Sequence, residues 1–118
     1  MSSSATADAA IVLTTLGADV DATALARTLV QERLAACVNV LPAMTSVNRW
    51  KGSVELEREQ QLVIKTAAGR VAALEARLRE LHPYEVPEFL VLRVSGGSDD
   101  YLRWLGDSCG PPSARTHA

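Results

Sequence analysis

The chain has 118 residues, 47% of them hydrophobic and only 4% aromatic, which suits one core built from aliphatic side chains. Twelve basic against fourteen acidic residues leave a formal charge of -2, no footprint for a phosphate backbone, so nucleic acid is excluded as a partner. No apolar run approaches the ~20 residues that cross a bilayer, and Met1 to Asp8 lacks the basic and apolar regions of a secretion signal.

With no membrane segment and no export signal, the expected compartment is the cytoplasm. There Cys37 and Cys109 stay as thiols, too few and too far apart for a disulfide scaffold. Residues 1–8 read as a disordered Ser/Ala leader, 9–109 as a single domain, and 110–118 as a disordered tail after Gly110, Pro111 and Pro112.

Ala9 to Leu16 is dense in Ile, Val, Leu and Thr and closes at Gly17, the pattern of a central strand covered on both faces. Asp19 or Asp21 can cap the next segment, in which Ala22, Leu25, Ala26, Leu29 and Val30 share one arc; this predicts an amphipathic helix to about Ala36. Cys37 to Trp50 turns extended, and Pro42 within it, lacking a ladder donor, marks a sheet edge or a bend. Lys51-Gly52-Ser53 then makes a turn, and Val54 to Thr66 returns as the second arm of a long hairpin.

Period-two reading puts Val54, Leu56, Leu62 and Ile64 on one face of the return strand with Arg58 and Gln60. Glu57, Glu59, Gln61 and Lys65 share the other with Val63. The four apolar residues fall into two pairs, so one pair lies over the core and the other projects past it. A two-stranded ribbon is marginal alone in water, and an uncovered edge invites another chain; the projecting pair therefore calls for self-association.

Val71, Leu74, Leu78 and Leu81 recur at helical spacing across Arg70 to His82, and Pro83 ends that helix. Glu88 to Ser95 reads as a last core strand, stopped by Gly96 and Gly97. Asp99 or Asp100 can cap a short terminal helix with Tyr101, Leu102, Trp104 and Leu105 on one side. The order strand, helix, strand, strand, helix, strand is α+β, a ferredoxin-like βαββαβ arrangement with both helices on one face of an antiparallel sheet.

Several stretches carry more than periodicity: Ala35-Ala36-Cys37-Val38-Asn39, Ser46 through Gly52, Ile64-Lys65-Thr66, His82-Pro83-Tyr84-Glu85-Val86-Pro87-Glu88, and Tyr101 through Leu105. Together, over roughly Ala10 to Cys109, the chain closely resembles the CutA family of divalent-ion tolerance proteins. The resemblance implies a homotrimer in which long hairpins extend one another's sheets, an architecture shared with the PII signalling proteins. It also implies an association with divalent-cation tolerance, with copper binding among members and no established enzymatic activity. Two positions depart from the family pattern: Asn48 stands where an aromatic residue often precedes Arg49, and Thr14 stands where some members carry a cysteine proposed to hold copper.

His82 and Glu88 match the remaining proposed ligands, and an imidazole with a carboxylate suits a divalent ion such as Cu or Zn. Glu85, or a residue of a neighbouring subunit, could complete the shell. The competing reading leaves His82 as a favourable charge at a helix C-terminus and Glu88 as the start of a strand. Trp50 and Tyr84 are two of five aromatic residues, suited to burial at a subunit junction and, as the alternative, ligand-binding candidates there together with Lys65 and Arg49. Lys65 and Arg49 are solvated charges or contacts to a small anionic ligand.

No nucleophile has a base at a recognisable spacing, no phosphate loop or dinucleotide fingerprint is present, and one of the two histidines, His117, lies in the tail. The chain therefore reads as a binding protein and not an enzyme. Three readings stand: a divalent-metal binder responding to metal ions, a PII-like sensor of a small anionic ligand at subunit clefts, and a rigid trimeric scaffold for a protein partner.

Overall fold

The computed structural model describes residues 8–110; the expected leader and tail lie outside the described residues except for Asp8 and Gly110. Strand β1 (Ala9–Gly17) is central, paired antiparallel with β4 (Ser53–Ala67) on one side and β5 (Leu90–Arg93) on the other. Strands β2 (Cys37–Val40) and β3 (Met44–Trp50) both pair with β4, giving the order β2-β4-β1-β5 with β3 along the far half of β4. Helices α1 (Ala22–Gln31) and α2 (Val71–Leu81), the latter entered through a 3-10 turn at Ala68–Arg70, cover one sheet face; α3 (Asp99–Asp107) closes the chain.

The core is the aliphatic one expected. Val12 and Leu16 of β1 and Leu62 and Ile64 of β4 lie under Leu29, Leu74 and Leu78 of the helices, all buried. The two pairs of β4 separate as their spacing predicts: Leu62 and Ile64 are fully buried, whereas Val54 is 61% and Leu56 70% exposed on the projecting hairpin. The molecule extends 53 Å along its long axis against 26 and 23 Å across.

Four expectations are corrected. Helix α1 stops at Gln31 and not near Ala36, because Arg33 is left-handed at φ 61°. Its neighbours close a Schellman pair, Leu34 N–H donating to the Leu29 carbonyl at 3.0 Å and Arg33 N–H to the Val30 carbonyl at 3.0 Å. The Arg33 guanidinium secures the turn by donating to the Asp107 carbonyl at 2.6 Å and to the Gly110 carbonyl. The extended run from Cys37 to Trp50 is two strands, since Leu41, Pro42 and Ala43 oppose only Gln60 and Gln61, a one-residue bulge at the proline.

The last strand is shorter than Glu88 to Ser95 and is an edge, paired on one side only, with Leu90, Val91 and Leu92 exposed. Helix α3 is capped by Ser98, whose Oγ accepts from Tyr101 N–H at 3.2 Å, and not by an aspartate. Its Leu102 and Leu105 pack with Ala9, Ala36 and Cys109, while Tyr101 and Trp104 stay exposed.

The sheet face away from α1 and α2 carries Ile11 and Leu13 of β1, Val63 of β4, and Leu90 and Leu92 of β5, half-buried or exposed. At the hairpin tip Lys51 at φ 50° and Gly52 at φ 84° make the two-residue turn with both angles positive that matches strand twist. That turn sets which β3 residues stand opposite Glu57 and Glu59.

Candidate functional site

Opposing residues of an antiparallel pair point the same way, so Ser46 shares a face with Glu57, and Met44 with Glu59. Asn48 is on that face too, and its Nδ2 donates to Glu57 Oε1 at 3.3 Å. The segment after α2 runs back over this ground, since Pro83 and Pro87 keep it from helix or ladder. Between hairpin and segment lies a cleft of about 550 Å³, lined by Thr15, Asn48, Arg49, Trp50, Glu57, Glu59 and every residue from Pro83 to Glu88.

Four carboxylates, Glu57, Glu59, Glu85 and Glu88, face this cleft against one guanidinium, Arg49. Most are held by neutral donors. Glu59, 5% exposed, accepts from the Tyr84 hydroxyl at 2.8 Å. Glu88 accepts from Gln61 Nε2 at 2.9 Å, the same amide that reaches the Thr14 carbonyl at 3.2 Å. Glu85 lies 3.8 Å from Lys51 Nζ, an exposed pair of little energetic weight. Burial first, then the hydrogen bond and charge of Glu59 with the charges of Glu57 and Asp19, push the Tyr84 phenol well above its usual range. The cleft is negative.

His82 lies beneath it, buried, with both ring nitrogens engaged. Nε2 is 2.6 Å from the Thr15 carbonyl, which only accepts, so this nitrogen carries the proton; Nδ1 accepts the Tyr84 N–H at 3.1 Å. A metal at either nitrogen would break one of these bonds. Among the described residues no three His, Cys, Asp or Glu side chains gather around a point that could hold an ion. In this arrangement His82 and Glu88 do not fit as a ligand pair: Glu88 keeps acceptor capacity, His82 keeps none.

The structure thus brings Arg49, Trp50, Tyr84 and Glu88 around one cleft with His82 as their support. It does not bring Lys65, which pairs with Ile11 and Cys37 on the body of the sheet, roughly 20 Å along β4 from Glu59 at ~3.3 Å per residue. Sequence reasoning missed Glu59 as a buried wall residue. Parity had put Glu57 and Glu59 on one face, but their cover is a segment more than twenty residues away in sequence.

The model of the family described as CutA1 divalent ion tolerance protein matches residues 10–108, most of the chain. This chain belongs to that family. The divalent-cation tolerance protein CutA of Thermus thermophilus is 42% identical over 100 residues, covering 85% of this chain and 97% of that relative. The protein of the same name from Pectobacterium atrosepticum is 46% identical over 101 residues, 86% and 92% of the two chains. Among solved structures, CutA from Xylella fastidiosa matches with a TM-score of 0.82 at 43% identity, over 87% of this chain and 99% of that one. CutA relatives thus share the whole described fold, hairpin included. Among the described residues, no helix is long and apolar enough to cross a membrane.

Proposed function

We propose that this CutA-family chain is a non-catalytic, homotrimeric cytoplasmic protein of divalent-cation tolerance, and that the acidic cleft is where it meets its cation. The observation that carries this reading is the imbalance of four carboxylates against two cations, Arg49 in the lining and Lys51 at the rim, around a single cleft. Such a cavity concentrates cations and opposes anions, which disfavours the PII-like anionic ligand. The relatives' name, divalent-cation tolerance protein, supports the same sign of charge.

In this reading a copper or zinc ion is met by carboxylate oxygens, Glu88 among them, and His82 holds the wall that carries Tyr84. Carboxylate-rich surroundings give modest affinity and little of the selectivity that thiolates confer. Trimer formation is supported by the half-exposed apolar face of β1, β4 and β5 and by the exposed apolar pair on the projecting hairpin.

Calorimetric titration of copper and zinc into the assembled protein tests the site. Paired Glu57→Gln and Glu88→Gln substitutions are expected to weaken binding about tenfold, roughly the cost of two charge contacts, while His82→Ala, which loosens the wall but removes no ligand, weakens it by a smaller factor in protein that remains folded. Binding that survives the glutamate pair but vanishes in the folded histidine variant would instead make His82 the ligand.

A further inference from the structure

The cleft is large for a metal ion. At about 550 Å³ it lies in the ~300–1,000 Å³ range of sites for organic molecules, and its carboxylates do not gather around one point. Negative charge spread along a wall matches positive charge spread along a chain.

The molecule itself shows the contact such a chain would make. The left-handed turn carries Lys51 back over the hairpin tip, where its ammonium stands 5.5 Å from the centre of the Trp50 ring and 3.8 Å from Glu85 Oε1. An alkylammonium thus already stands, solvent-exposed, beside a ring face and a carboxylate at the rim of the cleft. Deeper in, Glu59 is almost completely buried with the neutral Tyr84 hydroxyl as its hydrogen-bond donor, and it pairs with no cation among the described residues. Buried carboxylates are ordinarily matched by a positive charge, and none is supplied from within this wall.

We propose that the cleft takes a linear organic di- or triamine, one ammonium displacing Lys51 between Trp50 and Glu85 and another reaching the carboxylates of Glu57 and Glu59. The proposal rests on the reading of the cleft as a cation site and names an organic class of ligand for it. The alkyl segments between charges would lie along the apolar parts of Val86 and Pro87, which line the same cleft.

Calorimetry on the assembled protein at physiological salt, with spermidine, 1,4-diaminobutane and butylamine as probes, decides it. The triamine is expected to bind about tenfold more tightly than the monoamine, since two or three charge contacts replace one. Trp50→Ala weakens the triamine about threefold or more and Trp50→Phe restores most of it, the signature of a ring-face contact. Lys51→Gln, by vacating the ring, tightens binding by about two- to fivefold, whereas the charge-matched Arg103→Gln on α3 leaves it within about twofold.

Equal affinities for triamine and monoamine, or equal shifts in the Lys51 and Arg103 variants, would reduce the effect to general counter-ion attraction and overturn the proposal. A zinc titration run in parallel separates the two readings of the cleft. Zinc binding without triamine binding overturns the amine proposal alone, and triamine binding without zinc binding overturns the metal reading alone. Loss of both removes the cleft as a cation site.

Discussion

Replacing His82 by alanine takes the side-chain partner from the Thr15 carbonyl and the Tyr84 amide at once. Each unsatisfied buried group costs about 1–3 kcal/mol, so chemical denaturation should show His82→Ala destabilised by about 2–4 kcal/mol. A metal-ligand role predicts nearly unchanged stability in metal-free buffer. The neighbouring Tyr84 offers a spectroscopic check. Its phenol is raised, so the folded state keeps the proton longer than the unfolded one; the associated stability is complete below the usual tyrosine range and fades as pH climbs through the raised value. Absorbance titration should show a late-ionising phenol that disappears in Tyr84→Phe. The motif from His82 to Glu88 was legible as a constellation from the sequence, but which members face the cleft and which carry the wall was not. That division depends on Thr15, sixty-seven residues away from His82.

At the level of elements, α2 was readable almost to the residue because Leu74 and Leu78 repeat at helical spacing and Pro83 follows. The end of α1 was not, since its left-handed position holds Arg33 where glycine would have announced it. The two helices meet through a forked contact, Arg77 Nε to Glu32 Oε1 and Nη2 to Glu32 Oε2, both at 2.8 Å. The hydrogen bond from Arg77 holds the Glu32 carboxyl below its usual range. This contribution is complete above the ordinary glutamate range and is lost as pH falls through the lowered value. Arg77→Ala should therefore flatten the acid side of the stability profile, measured as urea midpoint against pH; an unchanged acid limb would dismiss the pair as a contributor. Along β4, Leu62→Ala should cost about 2–5 kcal/mol, while Leu56→Ala, at a side chain 70% exposed, should leave the fold of one chain within about 0.5 kcal/mol.

For the whole molecule, the proposed trimer would cover Leu56, Leu90 and Leu92, which one chain leaves exposed. Sedimentation should give three times the 12.6 kDa chain mass, about 38 kDa. Leu92→Asp, aimed at the open face and away from the core, should drive the assembly toward single folded chains; wild-type protein that sediments singly while folded would refute the trimer. The division of β4 into a buried and a projecting apolar pair was legible in its period-two pattern. The edge position of β5 was not, because a run of Leu and Val reads alike whether helices or identical chains cover it.

The bulge at Pro42 has a consequence for how such a protein can change over time. The tip turn sets β3 against β4, the core sets β2 against β4, and the two settings differ by one residue that Leu41 to Ala43 absorb. Losing one residue there would leave two opposite Gln60 and Gln61, a regular ladder in which Val38 and Val40 stay in the interior and Asn48 and Trp50 keep their phase toward the carboxylates; what goes is the local bend, and with it the place for a proline that has no ladder donor. Gaining or losing residues in pairs at the tip would lengthen or shorten the arm without disturbing that phase. The reach of the arm is thus set at the tip, while the spacer with its extra residue sets the direction in which the arm leaves the body.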